Sequence, residues 1–196
     1  RAIYEHGDLD GLARCLEAVP AGMERAVIVS DGIFSMRGDC APLAEIQALA
    51  RRHEARYSQG VVTVVDDSHG IGAFGATGRG ALEHTGSAPD VIVGTFGKAF
   101  GVNGGCLAGS EALIEAVRQK ADTYIYTNPL SPADCAAAVA AIEICDGPEG
   151  RRRLRRLAER VAQLRGGLAA LGLESIPGPH PVVPRQVRDT ARAPRL

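Results

Sequence analysis

The chain has 196 residues, 45% of them hydrophobic and 23% charged, which is typical of a globular protein with one sizeable core and excludes a disordered chain. Its 22 lysines and arginines nearly balance 23 aspartates and glutamates, so we expect no general attraction to nucleic acid or to an anionic membrane. Five cysteines without a C-x-x-C pair, and no apolar run near the ~18 residues of a membrane span, favour a soluble protein of the reducing cytoplasm.

Helical patterns alternate with short apolar runs along the first two thirds of the chain. The predicted strands span residues 26–30, 61–65, 90–94 and 105–108. The predicted helices span residues 8–18, 42–56, 131–146 and 148–171. The strands are apolar on both faces, which is typical of a mostly parallel sheet with helices on each side. The sequence therefore predicts an α/β fold.

The last two predicted helices differ in character. The Ala-rich helix at 131–146 is predicted to be buried, whereas the helix at 148–171 carries one narrow stripe of leucines and valine and ends at Gly172. The run RRRLRR at 151–156 falls mostly off that stripe, so we interpret it as a solvated face rather than a nucleic-acid patch. We divide the chain into a large-domain part (1–146), a connecting helix (147–172) and the start of a smaller C-terminal domain (173–196).

Three glycine-containing loops each follow a predicted strand, at residues 30–39, 66–80 and 95–105. Ligands of open α/β sheets bind outside the carboxyl ends of the strands, so these loops are predicted to line one crevice. The second loop contains a G-x-G-x-x-G match, but Gly78 and Gly80 follow too closely for a dinucleotide-binding helix to begin there.

Several side chains in these loops suit covalent cofactor chemistry. Lys98 follows an apolar strand, and partial burial would lower the pKa of its amine and favour Schiff-base formation. Pyridoxal phosphate (PLP) needs such an amine, a carboxylate for its ring nitrogen and a phosphate anchor, which Lys98, Asp66 and Thr95 would supply. At this point Lys98 could also be a surface lysine. Asp66, Asp67 and His69 could instead bind a metal, as in a metal hydrolase, or Asp66 could merely cap a turn.

Four longer segments carry a family resemblance. In chain order they are DGIFSMRGD, VVDDSHGIGAFGATGRG, GTFGKAFG and YIYTNPLSP. This combination resembles the α-oxoamine synthases, PLP-dependent transferases of fold type I that join an amino acid to an acyl-CoA. The resemblance runs from about residue 1 to 190 and implies the large domain of that fold, PLP as cofactor and a homodimer with shared active sites. An apparent insertion near residues 57–62 departs from the family pattern, and we expect a loop there.

The resemblance implies roles for three residues around the cofactor ring. Lys98 would form the Schiff base and act as general base and acid. Asp66 would pair with the pyridine nitrogen, and His69 would hydrogen-bond the 3-oxygen of the cofactor.

Three further residues would complete the cofactor site. Ser35 would contact the same side of the ring, and Thr95 would bind the cofactor phosphate. Thr127, in the YTNP segment, would reach the phosphate of the cofactor in the other subunit.

Two activities within the family remain in competition. YIYTNPLSP and SDGIFSM are most similar to glycine C-acetyltransferase, which condenses glycine with acetyl-CoA, and we favour this activity. GTFGKAFG and GDCAPL also resemble 8-amino-7-oxononanoate synthase, which takes alanine and a pimeloyl thioester and releases carbon dioxide. The pair Asp66-Asp67 disfavours serine palmitoyltransferase, which usually has Asp-Glu at these positions.

Family members also carry a phosphate loop, a histidine stacked on the cofactor and an arginine for the substrate carboxylate, none of which has a counterpart in these 196 residues. We therefore expect a fragment with slow or absent turnover, or a non-catalytic partner subunit.

Overall fold

The computed structural model describes residues 1–20, 22–173 and 175–185, and its centre is a four-stranded sheet. In chain order the strands are β1 (Ala26–Asp31), β2 (Ile33–Phe34), β3 (Asp39–Cys40), β4 (Val61–Asp66), β5 (Val91–Thr95) and β6 (Gly105–Gly109). The sheet has the order β1-β4-β5-β6, while β2 and β3 form a separate hairpin. Each of the four predicted strands is present within one residue of its expected ends.

The sheet is mostly parallel, as predicted. β1, β4 and β5 run in the same direction, and the register pairs Asp31 with Asp66 and Asp66 with Val93. β6 is antiparallel to β5. The connection between them has only nine residues (96–104), and a parallel crossover needs a dozen or more. The carboxyl ends of the three parallel strands therefore meet at one edge.

The described part of the chain contains seven α-helices. They are α1 (Leu9–Glu17), α2 (Leu43–His53), α3 (Gly80–Thr85), α4 (Glu111–Lys120), α5 (Asp122–Ile125), α6 (Pro132–Asp146) and α7 (Pro148–Ala170). α2 ends three residues earlier than expected, because Glu54–Arg56 tightens into a 3-10 turn. The helices α3, α4 and α5 were not predicted; α3 and α5 have six and four residues, too few for a periodic pattern.

The core lies between the sheet and the first two helices. Its most deeply buried apolar side chains are those of Leu12, Ile28, Ile33, Ala41, Leu43, Ile46, Val65, Ala81 and Val91. Tyr57, where we expected an inserted loop, also belongs to this core. Its hydroxyl donates to the Leu16 carbonyl at 2.8 Å, so this residue ties the end of α2 to α1. A loop is present at residues 57–60, as expected, but its first residue is buried.

The prediction that α6 is buried is wrong. Ala138 is its one buried residue, whereas Val139, Ile142 and Ile144 are exposed. α6 packs against α7, which covers only part of its surface. An Ala-rich helix is apolar on every side, so its sequence does not show how much of it a neighbour covers.

The stretch 175–185 follows α7 and packs back onto the large domain. Arg165 of α7 donates to the carbonyls of Ile176, His180 and Val182. His180 is almost fully buried, with its ring edge-on to Phe74 at 6.5 Å, and Pro184 lies against Gly38. Of the predicted C-terminal domain start at 173–196, residue 174 and residues 186–196 lie outside the described residues. No helix in the described ranges has the length and apolarity needed to cross a membrane.

Candidate active site

The carboxyl ends of β1, β4 and β5 bring the three predicted loops together. Lys98, in the loop after β5, places its Nζ 3.4 Å from Nδ1 of His69, in the loop after β4. Asp31 and Asp66, the last residues of β1 and β4, are register partners at the same edge. The carboxyl ends of these strands therefore bring an amine, an imidazole and two carboxylates together.

The loop of Lys98 is held at both ends by hydrogen bonds. Phe96 N donates to Gly104 O at 2.8 Å, where β5 and β6 meet. The Thr95 hydroxyl donates to the same Gly104 carbonyl and accepts from Gly97 N, both at 3.1 Å. Lys98 is exposed at the tip of this loop, so the expected partial burial is wrong.

Asp66 is fixed by the backbone around it. Its Oδ1 accepts from Ser68 N at 2.9 Å, and its carbonyl accepts from Gly32 N at 2.8 Å, just beyond β1. These bonds hold the carboxylate at the end of β4 and hold the loop after β1 beside it.

Asp31 is a site residue that the sequence analysis missed. Burial raises the pKa of its carboxyl, the charge of Asp66 raises it further, and His69 and Lys98 oppose the rise. Asp31 thus belongs to the same electrostatic cluster as the predicted residues. Its position in the sequence could have identified it, because Asp31 follows an apolar strand as Asp66 does.

His69 is half-buried, and its surroundings disfavour the protonated imidazole. Burial lowers the pKa of its imidazole, and the Lys98 ammonium lowers it further, against the opposite effect of Asp31 and Asp66. A neutral imidazole can donate from one ring nitrogen and accept at the other. His69 is therefore equipped to hydrogen-bond a polar group bound near Lys98.

Asp67 does not share this crevice. Its side chain is completely buried and its Oδ2 accepts from Ala81 N at 2.8 Å. In the described part of the chain, no group of three or more His, Cys, Asp or Glu side chains is arranged to hold a metal ion. The alternative metal site formed by Asp66, Asp67 and His69 is thus not supported by the geometry.

Ser35 and Thr127 lie in loops outside the strands and helices. Ser35 is exposed in the turn between β2 and β3, and Thr127 is exposed between α5 and α6. Among the described residues no hydrogen bond joins either of them to Lys98, His69 or Asp66. Their roles at a cofactor remain predictions.

The family model described as Aminotransferase class I and II matches residues 2–195. The chain belongs to this family. Among curated members, the 8-amino-7-oxononanoate synthase of Alkalilimnicola ehrlichii is 44% identical over 97% of this chain and 47% of its own length. That of Klebsiella pneumoniae is 40% identical over 97% of the chain and 47% of its own length. The chain thus spans about half the length of these curated relatives.

Solved structures of class I and II aminotransferase relatives share the fold. A serine palmitoyltransferase variant from S. paucimobilis, bound to a PLP–myriocin aldimine, superposes with a TM-score of 0.84 at 31% identity; 97% of this chain covers 48% of that one. The 8-amino-7-oxononanoate synthase of Francisella tularensis superposes with a TM-score of 0.76 at 25% identity. The match covers 98% of this chain and 53% of that one. The predicted fold type I architecture and the resemblance to α-oxoamine synthases are confirmed. The curated names favour 8-amino-7-oxononanoate synthase over glycine C-acetyltransferase, which the sequence motifs had favoured.

Proposed function

We propose that this chain carries the cofactor-binding centre of a PLP-dependent α-oxoamine synthase that condenses an amino acid with an acyl thioester. The observation that carries the proposal is the approach of the Lys98 amine to the His69 imidazole beside the carboxylate of Asp66. The names of the relatives favour the 8-amino-7-oxononanoate synthase reaction, with alanine and a pimeloyl thioester as substrates.

The side chains at the sheet edge fit the chemistry of PLP. An exposed primary amine at Lys98 is accessible to the cofactor aldehyde. The Asp66 carboxylate, held by Ser68 N, is suited to pair with a protonated ring nitrogen, and the neutral His69 is suited to a ring oxygen. Thr95 could anchor phosphate only if its hydroxyl turns away from Gly104, to which it now donates.

Different residues of this chain would have different roles in the reaction. When bound, PLP supplies an electron sink that stabilises negative charge beside the amino group of the substrate. Asp66 would keep the ring nitrogen protonated, which strengthens that sink. Lys98 would hold the cofactor covalently and, once released, its Nζ would take the α-proton of the amino acid and return it. His69, whose Nδ1 lies 3.4 Å from the Lys98 Nζ, would orient the ring.

A homodimer forms the second part of the proposal, since the resemblance implies that Thr127 serves the site of the partner. Thr127 is exposed, and so are the neighbouring Tyr124, Ile125 and Tyr126, so this segment offers apolar side chains to a second copy. Analytical ultracentrifugation tests the assembly, and sedimentation as a monomer at all concentrations would contradict it.

The covalent role of Lys98 can be tested with a control inside the molecule. The chain has only two lysines, Lys98 and Lys120, and Lys120 ends α4 far along the chain from the crevice loops. The chain would be incubated with PLP, reduced with borohydride, and mapped by peptide mass spectrometry. We expect the pyridoxyl label on Lys98 and not on Lys120, and its loss in Lys98→Met but not in Lys120→Met. Equal labelling of both lysines would refute the proposal.

The substrates are tested by following CoA release. Alanine with a pimeloyl thioester is the expected pair, whereas turnover of glycine with acetyl-CoA would favour glycine C-acetyltransferase, the second candidate suggested by the YIYTNPLSP segment. Labelling of Lys98 without turnover of either pair would support a non-catalytic partner subunit or a chain that needs segments carried by its longer relatives.

A further inference from the structure

Asp67 is the buried neighbour of the site carboxylate Asp66. Its side chain has 0% exposure, although carboxylates are rarely buried without a partner. One oxygen, Oδ2, accepts from Ala81 N at the start of α3, at 2.8 Å. The other oxygen, Oδ1, is buried and has no hydrogen-bond partner among the residues that the structure describes. A charged group in such a position costs folding free energy, so its retention needs an explanation.

The backbone of Asp67 joins several elements at the same point. Its N–H donates to Val93 O on β5 at 2.9 Å. Its carbonyl accepts from Gly70 N at 2.9 Å and from Ile71 N at 3.0 Å. Together with the side-chain bond to α3, these contacts fix the turn that carries His69 relative to β5 and α3.

Three glycines leave the space that the Asp67 carboxylate fills. A Cβ added at Gly32 or Gly70 would overlap Oδ1 of Asp67, and one added at Gly80 would overlap Oδ2. Gly32 follows Asp31, Gly70 follows His69, and Gly80 begins α3. The size of the Asp67 side chain therefore sets the spacing between the loop after β1, the loop after β4 and α3.

The charge of Asp67 affects the strength of its hydrogen bond with Ala81 N. Burial raises the pKa of its carboxyl to about 6, against the opposite effect of the N–H groups of Ala81 and Leu82. The titratable groups that face it are Asp66 on β4 and Cys40 on β3. Above this pKa the carboxylate accepts a charge-assisted bond from α3, which is stronger than the bond to the neutral acid.

We propose that Asp67 is a positioning residue, which locks the turn of residues 67–71 against β5 and α3 so that Asp66 and His69 stand beside Lys98. It touches none of these three side chains and acts on them through the backbone. The consequence for cofactor affinity rests on the proposed function, whereas the consequence for the local backbone does not.

The experiment compares the full chain with Asp67→Asn, Asp67→Ala and the control Asp90→Asn. Asparagine keeps an oxygen for Ala81 N but never ionises, while alanine removes the acceptor. Asp90 is a matched control, because its carboxylate accepts from Thr63 N at 2.7 Å at the opposite end of the same sheet. Amide hydrogen exchange is measured without cofactor, and the Kd for PLP is measured spectroscopically at pH 5 and pH 8.

In Asp67→Ala we expect the amides of Gly70, Ile71 and Ala81 to exchange at least about tenfold faster while those of α2 stay unchanged, since a lost acceptor opens only the local turn. In Asp67→Asn we expect a Kd for PLP equal to wild type at pH 5 and about fivefold weaker at pH 8, where only wild type carries the charge-assisted bond.

Unchanged exchange in Asp67→Ala, or equal acceleration throughout the chain as in a general loss of stability, would overturn the positioning role. The positioning role would also be overturned if the Kd for PLP depended on pH in the same way in wild type and Asp67→Asn. It would be overturned as well if Asp90→Asn changed the Kd for PLP as Asp67→Asn does. If wild type takes no PLP on Lys98, the proposed function fails, and the exchange data still decide the role of Asp67.

Discussion

Replacing Thr95 by valine tests how the Lys98 loop is held. Valine has the shape of threonine and suits a strand end, so the change removes the hydroxyl and little else. That hydroxyl donates to Gly104 O and accepts from Gly97 N, each at 3.1 Å, at the two ends of the loop. Each such bond contributes about 0.5–1.5 kcal/mol net, and because Thr95 is only half-buried we expect a total loss of about 1–2 kcal/mol.

Urea unfolding measures this loss directly. With a slope of about 2 kcal/mol per molar urea, the midpoint of Thr95→Val should fall by about 0.5–1 M. Thr95→Ser keeps the hydroxyl and should stay within about 0.3 M of wild type. Labelling of Lys98 by PLP should also slow in Thr95→Val, because a looser loop holds the amine beside His69 for less of the time. A midpoint for Thr95→Val that matches Thr95→Ser would show that the hydroxyl does not brace the loop.

Two further predictions follow from perturbed protonation. Because burial lowers the pKa of His69 from its ordinary 6.5, the folded state disfavours the imidazolium, so stability is lost as the pH falls below 6.5. The free energy of unfolding of wild type relative to His69→Gln, from urea titrations, should therefore drop between pH 7.5 and pH 5.5; a constant difference would contradict this. Burial raises the pKa of Cys40 to about 11, so at pH 8 iodoacetamide should modify it at least about tenfold more slowly than the exposed Cys135, as peptide mass spectrometry can show. Equal rates would contradict the raised pKa of the half-buried Cys40 thiol.

The sequence was most informative where a local pattern fixes the structure. Apolar runs bounded by polar residues predicted the strands. Because parallel strands align their carboxyl ends, the loops that follow them were predicted to meet, and Lys98 does lie beside His69. Lys98 and His69 therefore lie together although 29 positions separate them in the chain.

What the sequence did not predict depends on contacts between distant segments. Nothing in the local pattern distinguishes Asp66, which faces the crevice, from Asp67, whose burial requires Gly32, Gly70 and Gly80 to approach from three loops. The burial of Tyr57 was likewise not visible in the local sequence, where it resembled part of an insertion. It depends on a hydrogen bond to Leu16, 41 positions earlier in the chain. The exposure of α6 depends on its packing against α7, which its own composition does not specify.

The stretch 175–185 has a practical consequence for anyone shortening this protein. A chain ending with α7 would leave the Arg165 guanidinium without its three carbonyl partners and would uncover Phe74, in the loop that also carries His69. It would also remove Pro184 from its place against Gly38, in the turn beside Ser35. A minimal version of the protein therefore has to keep these eleven residues, even though none of them lies in a helix or strand.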